Sequence, residues 1–254
     1  MNNHRKKTGM AVYVILLGVW VAVIAAVIWL SATDKVAVPE KRIPVYCVER
    51  EDKKAALTFN CAWTDEGLDG ILDCLDRYDA ACTFFTVGDF AAKYPDAIRK
   101  IYNRGHEIGN HSMCHTDPGK MSYAQLLSDI SRCNETVFSI TGKTPALYRA
   151  PSGAYTNDCI EAAESLGMTA VQWSVDSVDW KDPAPGTIAD RIISGADSGM
   201  IALFHVGKTN TADALESILQ TLTADSFELV TVSELLLEGD TYVDTNGKQR
   251  IKNW

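Results

Sequence analysis

Several polar residues stand at or just past short apolar runs, and their types could carry hydrolytic chemistry. His111 and His115 are four residues apart. At helical spacing two such side chains share a face, and their imidazoles can bind one divalent metal. An acidic, thiolate or water ligand would have to complete that set. Asp176 and Asp179 bring two carboxylates beside Trp180, whose ring can wall a sugar site. Arg149, Pro151 and Tyr155 share one segment, in which Pro151 and Gly153 would stiffen a tight loop. His205 ends the apolar run Ile201-Ala202-Leu203-Phe204 and is a candidate general acid. Asn60 follows the run Ala55–Phe59. Each has a plainer reading: a cap, a turn, a core histidine or a core tryptophan. Five strand ends of this kind in one chain are harder to assign to chance.

The elements that must position these residues follow a repeated order. Candidate strands are 55–59, 82–87, 107–109, 147–149, 169–174, 201–204 and 228–231. Helical stretches lie between them at 68–78, 95–103, 123–141, 157–166, 187–193 and 212–224. Pro95 suits a first helical position, and Ser122 with Gln125 makes a capping box. Gly105 and Gly167 follow helix ends, where the left-handed conformation is wanted. Strand-then-helix repetition predicts an α/β fold with a parallel sheet, and about seven units suggest a distorted barrel. In such barrels the active site is built at the C-terminal strand ends, where these polar residues fall.

Gly9 to Ala32 is a run of 24 residues without charge. As a helix it would span roughly 36 Å, enough to cross a ~30 Å hydrocarbon core. Arg5, Lys6 and Lys7 precede it, which predicts a cytoplasmic N-terminus and an extracytoplasmic remainder, anchored by a single pass in the cell membrane. The run is too long for the apolar part of a cleaved signal peptide. The expected organisation is a stub at 1–8, an anchor at 9–32, a tether at 33–52, a domain at 53–237 and a polar tail at 238–254. The chain has 254 residues, with 24 Lys and Arg against 33 Asp and Glu, a formal charge of −9. Three of those bases lie before residue 8, so the remainder is strongly acidic. No nucleic-acid partner is expected, because backbone binding needs clustered positive charge. The cysteines at 47, 61, 74, 82, 114, 133 and 159 are odd in number, so at least one is unpaired within a monomer.

Taken in order, Thr58-Phe59-Asn60-Cys61, His111-x-x-x-His115, Arg149-x-Pro151 with Tyr155, Asp176-x-x-Asp179-Trp180 and Leu203-x-His205 resemble the five motifs of one family. It is the polysaccharide deacetylase family, the nodulation-type deacetylase homology domain or carbohydrate esterase family 4. The resemblance covers about residues 53–237 and looks most like membrane-anchored sporulation and clostridial-type peptidoglycan deacetylases. It implies metal-dependent hydrolysis of an N-acetyl amide on a cell-wall glycan, with zinc the usual metal. It implies that His111 and His115 hold the metal, and that His205 protonates the leaving amine. By the same resemblance Asp179 orients His205, Arg149 holds the base, and Tyr155, Trp180, Pro151 and Leu203 line the substrate.

The first motif departs from the family pattern. Asn60 and Cys61 stand where the family usually carries two aspartates, the base and a metal ligand. Asparagine accepts no proton at neutral pH. Cys61 could serve as a thiolate ligand or as a small buried residue, and Asp65 or Glu66 could swing in as ligand or base. The sequence therefore leaves open an anchored deacetylase, a catalytically silent glycan-binding relative, and an amidase acting on a small non-sugar amide.

Overall fold

The computed structural model of the chain describes residues 2–33 and 40–252. The chain divides into two compact units, Met1–Lys41 and Arg42–Trp254. Among its described residues the first contains one helix, α1 (Asn2–Thr33). Its side chains are described at 13–27 and 29, and all of these are exposed. Among the described residues no helix is long and apolar enough to cross a membrane, so the span expected over 9–32 lacks structural support. Its side chains at 9–12, 28 and 30–32 lie outside the described residues, as do positions 34–39 of the expected tether.

In chain order the second unit contains β1 (Cys47–Val48), β2 (Lys54–Cys61), α2 (Leu68–Arg77), β3 (Thr83–Thr86), α3 (Gly88–Lys93), α4 (Pro95–Asn103) and β4 (Glu107–Asn110). Then come α5 (Tyr123–Thr141), β5 (Leu147–Tyr148), α6 (Asn157–Ser165), β6 (Thr169–Ala170), β7 (Val175–Asp176), α7 (Pro185–Ser194) and β8 (Ile201–His205). The last elements are α8 (Thr211–Ala224), β9 (Glu228–Leu229), α9 (Val232–Leu235), β10 (Thr241–Val243) and β11 (Lys248–Ile251). Seven parallel strands lie in the order β6-β5-β4-β3-β2-β8-β7, and β9 pairs with the start of β2.

That order forces curvature. β6 and β7 are the two ends of the path, yet only residues 171–174 join them. Seven strands laid flat at ~4.8 Å spacing would hold those ends about 29 Å apart. Five extended steps of chain reach at most ~18 Å. The sheet therefore curls into the distorted barrel expected from the repeated strand–helix order.

Strand periodicity sorts the side chains into two layers. Phe59 is in register with Phe84 on β3 and Phe204 on β8, and their rings stack at 5.0 and 5.2 Å. This row belongs to the apolar layer under the helices, with Leu57, Leu72, Leu75 and Leu219. The next residue, Asn60, is in register with Phe85 and His205, so these three face the barrel interior.

The local signals at the helix ends hold. Ser122 and Gln125 exchange both bonds of a capping box at the start of α5. Gly105 and Gly167 take φ of +84° and +74° just past α4 and α6. The seven cysteines are all free thiols.

The segment read as a tether is in part structural. β1 pairs with β11, and β10 and β11 form a hairpin around Asp244–Gly247. The Val45 N–H donates to the Ala170 carbonyl at 2.9 Å, and the Val45 carbonyl accepts from the Gln172 N–H at 2.7 Å. Gly199 comes so close that a Cβ there would meet the Val48 carbonyl oxygen at 1.8 Å. The folded unit thus begins before residue 53 and continues past 237. Strands of two to four residues are too short to show a period in the sequence.

Candidate active site

The strand ends converge on one cavity of about 520 Å³ at the C-terminal mouth of the barrel. Its lining includes Asn60, His111, His115, Asp176, Trp180, Leu203 and His205 from the sequence analysis. Trp63, Trp173, Ser152 and Lys208 join them without having been singled out. Trp63 is 68% exposed and Trp180 49%, an unusual exposure for large rings, so both stand at the rim. The signal that could have found Trp63 is its place three residues beyond Asn60.

His111 and His115 share no helix face. They lie in a loop after β4, in which Ser112 and His115 take φ of +69° and +56°. Positive φ costs a residue with a Cβ roughly 1–2 kcal/mol, so the loop needs external support. Asn110 supplies it: its amide donates to the Ile130 carbonyl and Asn134 on α5, and its oxygen accepts from the Ser112 N–H. Asp129 accepts from the Met113 N–H at 3.0 Å. The two imidazole rings end 5.0 Å apart.

His111 Nδ1 lies 2.8 Å from the Arg149 carbonyl, an acceptor, so Nδ1 carries the hydrogen and Nε2 keeps its lone pair. Burial, above all, holds the pKa of His111 well below the ordinary histidine value, and burial also lowers that of His115. Two neutral imidazoles suit a borderline divalent ion. Among the described residues no set of three His, Cys, Asp or Glu side chains could hold a metal. Cys61 belongs to the apolar outer layer with Phe59, Leu68 and Leu72, one residue out of phase with Asn60. Burial pushes its thiol far up, against thiolate formation. Asp65 and Glu66 are exposed on the following loop and are not on the cavity lining.

His205 and Asp179 form the best-satisfied pair in the site. Asp179 is fully buried. Its Oδ1 accepts from His205 Nδ1 at 2.7 Å, and its Oδ2 from the His205 backbone N–H and the Thr211 hydroxyl at 2.7 and 2.8 Å. The carboxylate is carried on a tight turn. Val178 takes φ of +57°, and Asp176 Oδ1 accepts from its N–H. His205 Nε2 is left for the cavity.

Arg149 is buried behind Asn60. Its guanidinium donates to Thr58 Oγ1 at 2.9 Å, Asn60 Oδ1 at 3.1 Å and the Gln172 carbonyl at 3.0 Å, and it stacks on Phe85 at 3.9 Å. Among the described residues its Nε has no partner. Burial lowers its pKa to about 9, which leaves it charged at neutral pH. Because a guanidinium only donates, Asn60 must turn its oxygen to it, and the Asn60 amide N–H groups point away.

Two residues expected to touch substrate do not line the cavity. Tyr155 packs on the cluster around Leu126, Ile130 and Tyr148. Burial and a hydrogen bond with Tyr155 together push Tyr46 up to about 12. Pro151 is buried in the turn that presents Ser152 to the rim.

Residues 48–171 match the polysaccharide deacetylase family. A peptidoglycan-N-acetylglucosamine deacetylase of Bacillus cereus is 35% identical over 195 residues, covering 74% of this chain and 91% of that protein. The chain belongs to the polysaccharide deacetylase family. Its enzymes hydrolyse amide carbon–nitrogen bonds and are metal-dependent. The peptidoglycan-N-acetylglucosamine deacetylase PgdA of Listeria monocytogenes is 31% identical over 227 residues, 87% of this chain. The chain spans 48% of that relative's length. Among solved structures, a family pseudoenzyme from Bacillus anthracis superposes with a TM-score of 0.73 at 27% identity, over 76% of this chain and 68% of that one. A mutant of that pseudoenzyme has restored enzymatic activity.

Proposed function

We propose that the protein is an extracytoplasmic N-deacetylase of a cell-wall glycan, peptidoglycan or a similar N-acetylated polymer, slowed by Asn60. The observation that carries the reading is the convergence of two imidazoles, a His–Asp pair and three tryptophans on one cavity. Tryptophan faces suit the apolar faces of sugar rings. His111 and His115 would hold a divalent ion, zinc by the family resemblance, which when bound polarises an acetyl carbonyl and acidifies water.

The chain's own residues supply the rest. Asp179 fixes the His205 ring so that Nε2 can give a proton to the leaving amine nitrogen. Arg149 fixes Asn60, whose amide can donate to an acetyl oxygen but takes no proton from water. Loss of a general base typically costs ~10²–10⁴-fold rather than all activity. The uncharged run at 9–32 and the bases before it support a membrane anchor with the rest of the chain outside.

The test is acetate release from peptidoglycan by the purified full chain with added zinc, beside His111→Ala and Asn60→Asp. Slow release by the wild type and none by His111→Ala is expected. A wild type that binds glycan but releases no acetate would replace this reading with a catalytically silent glycan-binding relative. The Arg149 bond to the Asn60 oxygen, which leaves only donors facing the cavity, favours that second reading.

A further inference from the structure

Lys208 stands three residues beyond His205, in the turn after β8. That turn is tightly held. Gly207 takes φ of +86°, and a Cβ there would meet Thr64 Cγ2 at 2.5 Å. The Lys208 carbonyl accepts from the Thr211 N–H, and the Thr211 hydroxyl is bound to Asp179. The side chain is half-buried on the cavity wall. Among the described residues its ammonium makes no hydrogen bond or ion pair, unlike Lys54, Lys100 and Lys252, which all pair with carboxylates.

The cavity holds little to balance that charge. Among the described residues Asp176 is the one carboxylate on the lining, its Oδ1 accepts from the Val178 N–H, and no ion pair joins it to Lys208. The floor is also short of acceptors. Asn60 presents amide hydrogens, and behind it the Arg149 cation has only neutral oxygens as partners. A half-buried ammonium on the cavity wall gains most from an anion that enters with the ligand.

We propose that Lys208 is a specificity-determining residue that pairs with a carboxylate on the N-acetylated sugar. The class this fits is an N-acetyl sugar with an acid group on the neighbouring ring carbon. N-acetylmuramic acid, with its lactyl carboxylate beside the acetamide, meets it; N-acetylglucosamine does not. The assignment rests on the reading that the cavity takes an N-acetylated glycan.

The test is calorimetric binding by the purified full chain. The probes are an N-acetylglucosaminyl-N-acetylmuramic acid disaccharide with a free lactyl carboxylate, its methyl ester, and chitobiose. The wild type should bind the free acid about tenfold more tightly than the ester, the scale of one charge-assisted hydrogen bond. Lys208→Met should remove the difference, and Lys208→Arg should keep it. Equal binding of acid and ester by the wild type, or an undiminished preference in Lys208→Met, overturns the assignment and leaves glycan binding standing. Failure to bind any of the three overturns both.

Discussion

The two halves of the cavity make an instructive contrast. On one side, Asp179 accepts from the His205 ring, the His205 backbone and Thr211, a buried acid with its lone pairs well used. On the other side, Arg149 reaches Thr58, Asn60 and a carbonyl, a buried base with no acid. Both are fixed by barrel strands and both are buried. The second half pairs its guanidinium with a neutral amide. The strand framework thus fixes an uncharged acceptor beside a buried cation, because asparagine accepts one bond from the guanidinium through its side-chain oxygen.

Asn60→Asp is the largest expected change to that contrast. A carboxylate beside Arg149 would give the second half the acid it lacks and raise acetate release by about 10²–10⁴-fold. An unchanged rate would mean that the two halves differ in more than one atom type. Asp179→Ala attacks the satisfied half. It strands the His205 and Thr211 donors in a buried space, so urea unfolding should show a loss of about 3–5 kcal/mol. A loss below ~1 kcal/mol would show that water replaces the carboxylate.

Cys61→Ser separates the inner and outer faces of β2. A hydroxyl in the apolar layer should cost about 1–3 kcal/mol of stability. Zinc affinity, read by competition with a chelating dye, should stay as in the wild type; a weakened affinity would return Cys61 to the metal site. The smallest effect is expected far from the cavity. His106 is buried against Phe84, and among the described residues neither ring nitrogen has a partner. Burial lowers its pKa below the ordinary 6.5. The unfolded chain therefore binds its proton first, and stability falls as pH drops below about 6.5. His106→Leu should gain about 1 kcal/mol at pH 7 and flatten the pH dependence of unfolding between 7.5 and 5.5. His111, whose pKa is lowered too, would keep part of that dependence.

Much of this fold was legible in the residues. The strand–helix alternation, the capping box at Ser122 and the glycines after α4 and α6 depend on contacts within a few positions, and sequence spacing records these directly. The strand-end polar residues were legible as a set because parallel barrels collect strand ends on one face. The six residues of α3 are too few to show a helical period, β10 and β11 are short hairpin strands, and β1 pairs with β11 far away in sequence.

What tertiary structure alone decided lies in directions and partners. The His111-to-His115 spacing suggested a helix face, whereas a strained loop pinned by Asn110 and Asp129 brings the rings together. Cys61 stood beside Asn60 in the sequence, but strand periodicity turned it to the opposite face. Tyr155 had the right position in its motif but packs, half-buried, against the cluster around Tyr148. Residue type and order specify which groups a site can contain. Which of them face one another depends on strand register and barrel closure, set by packing between residues well separated along the chain.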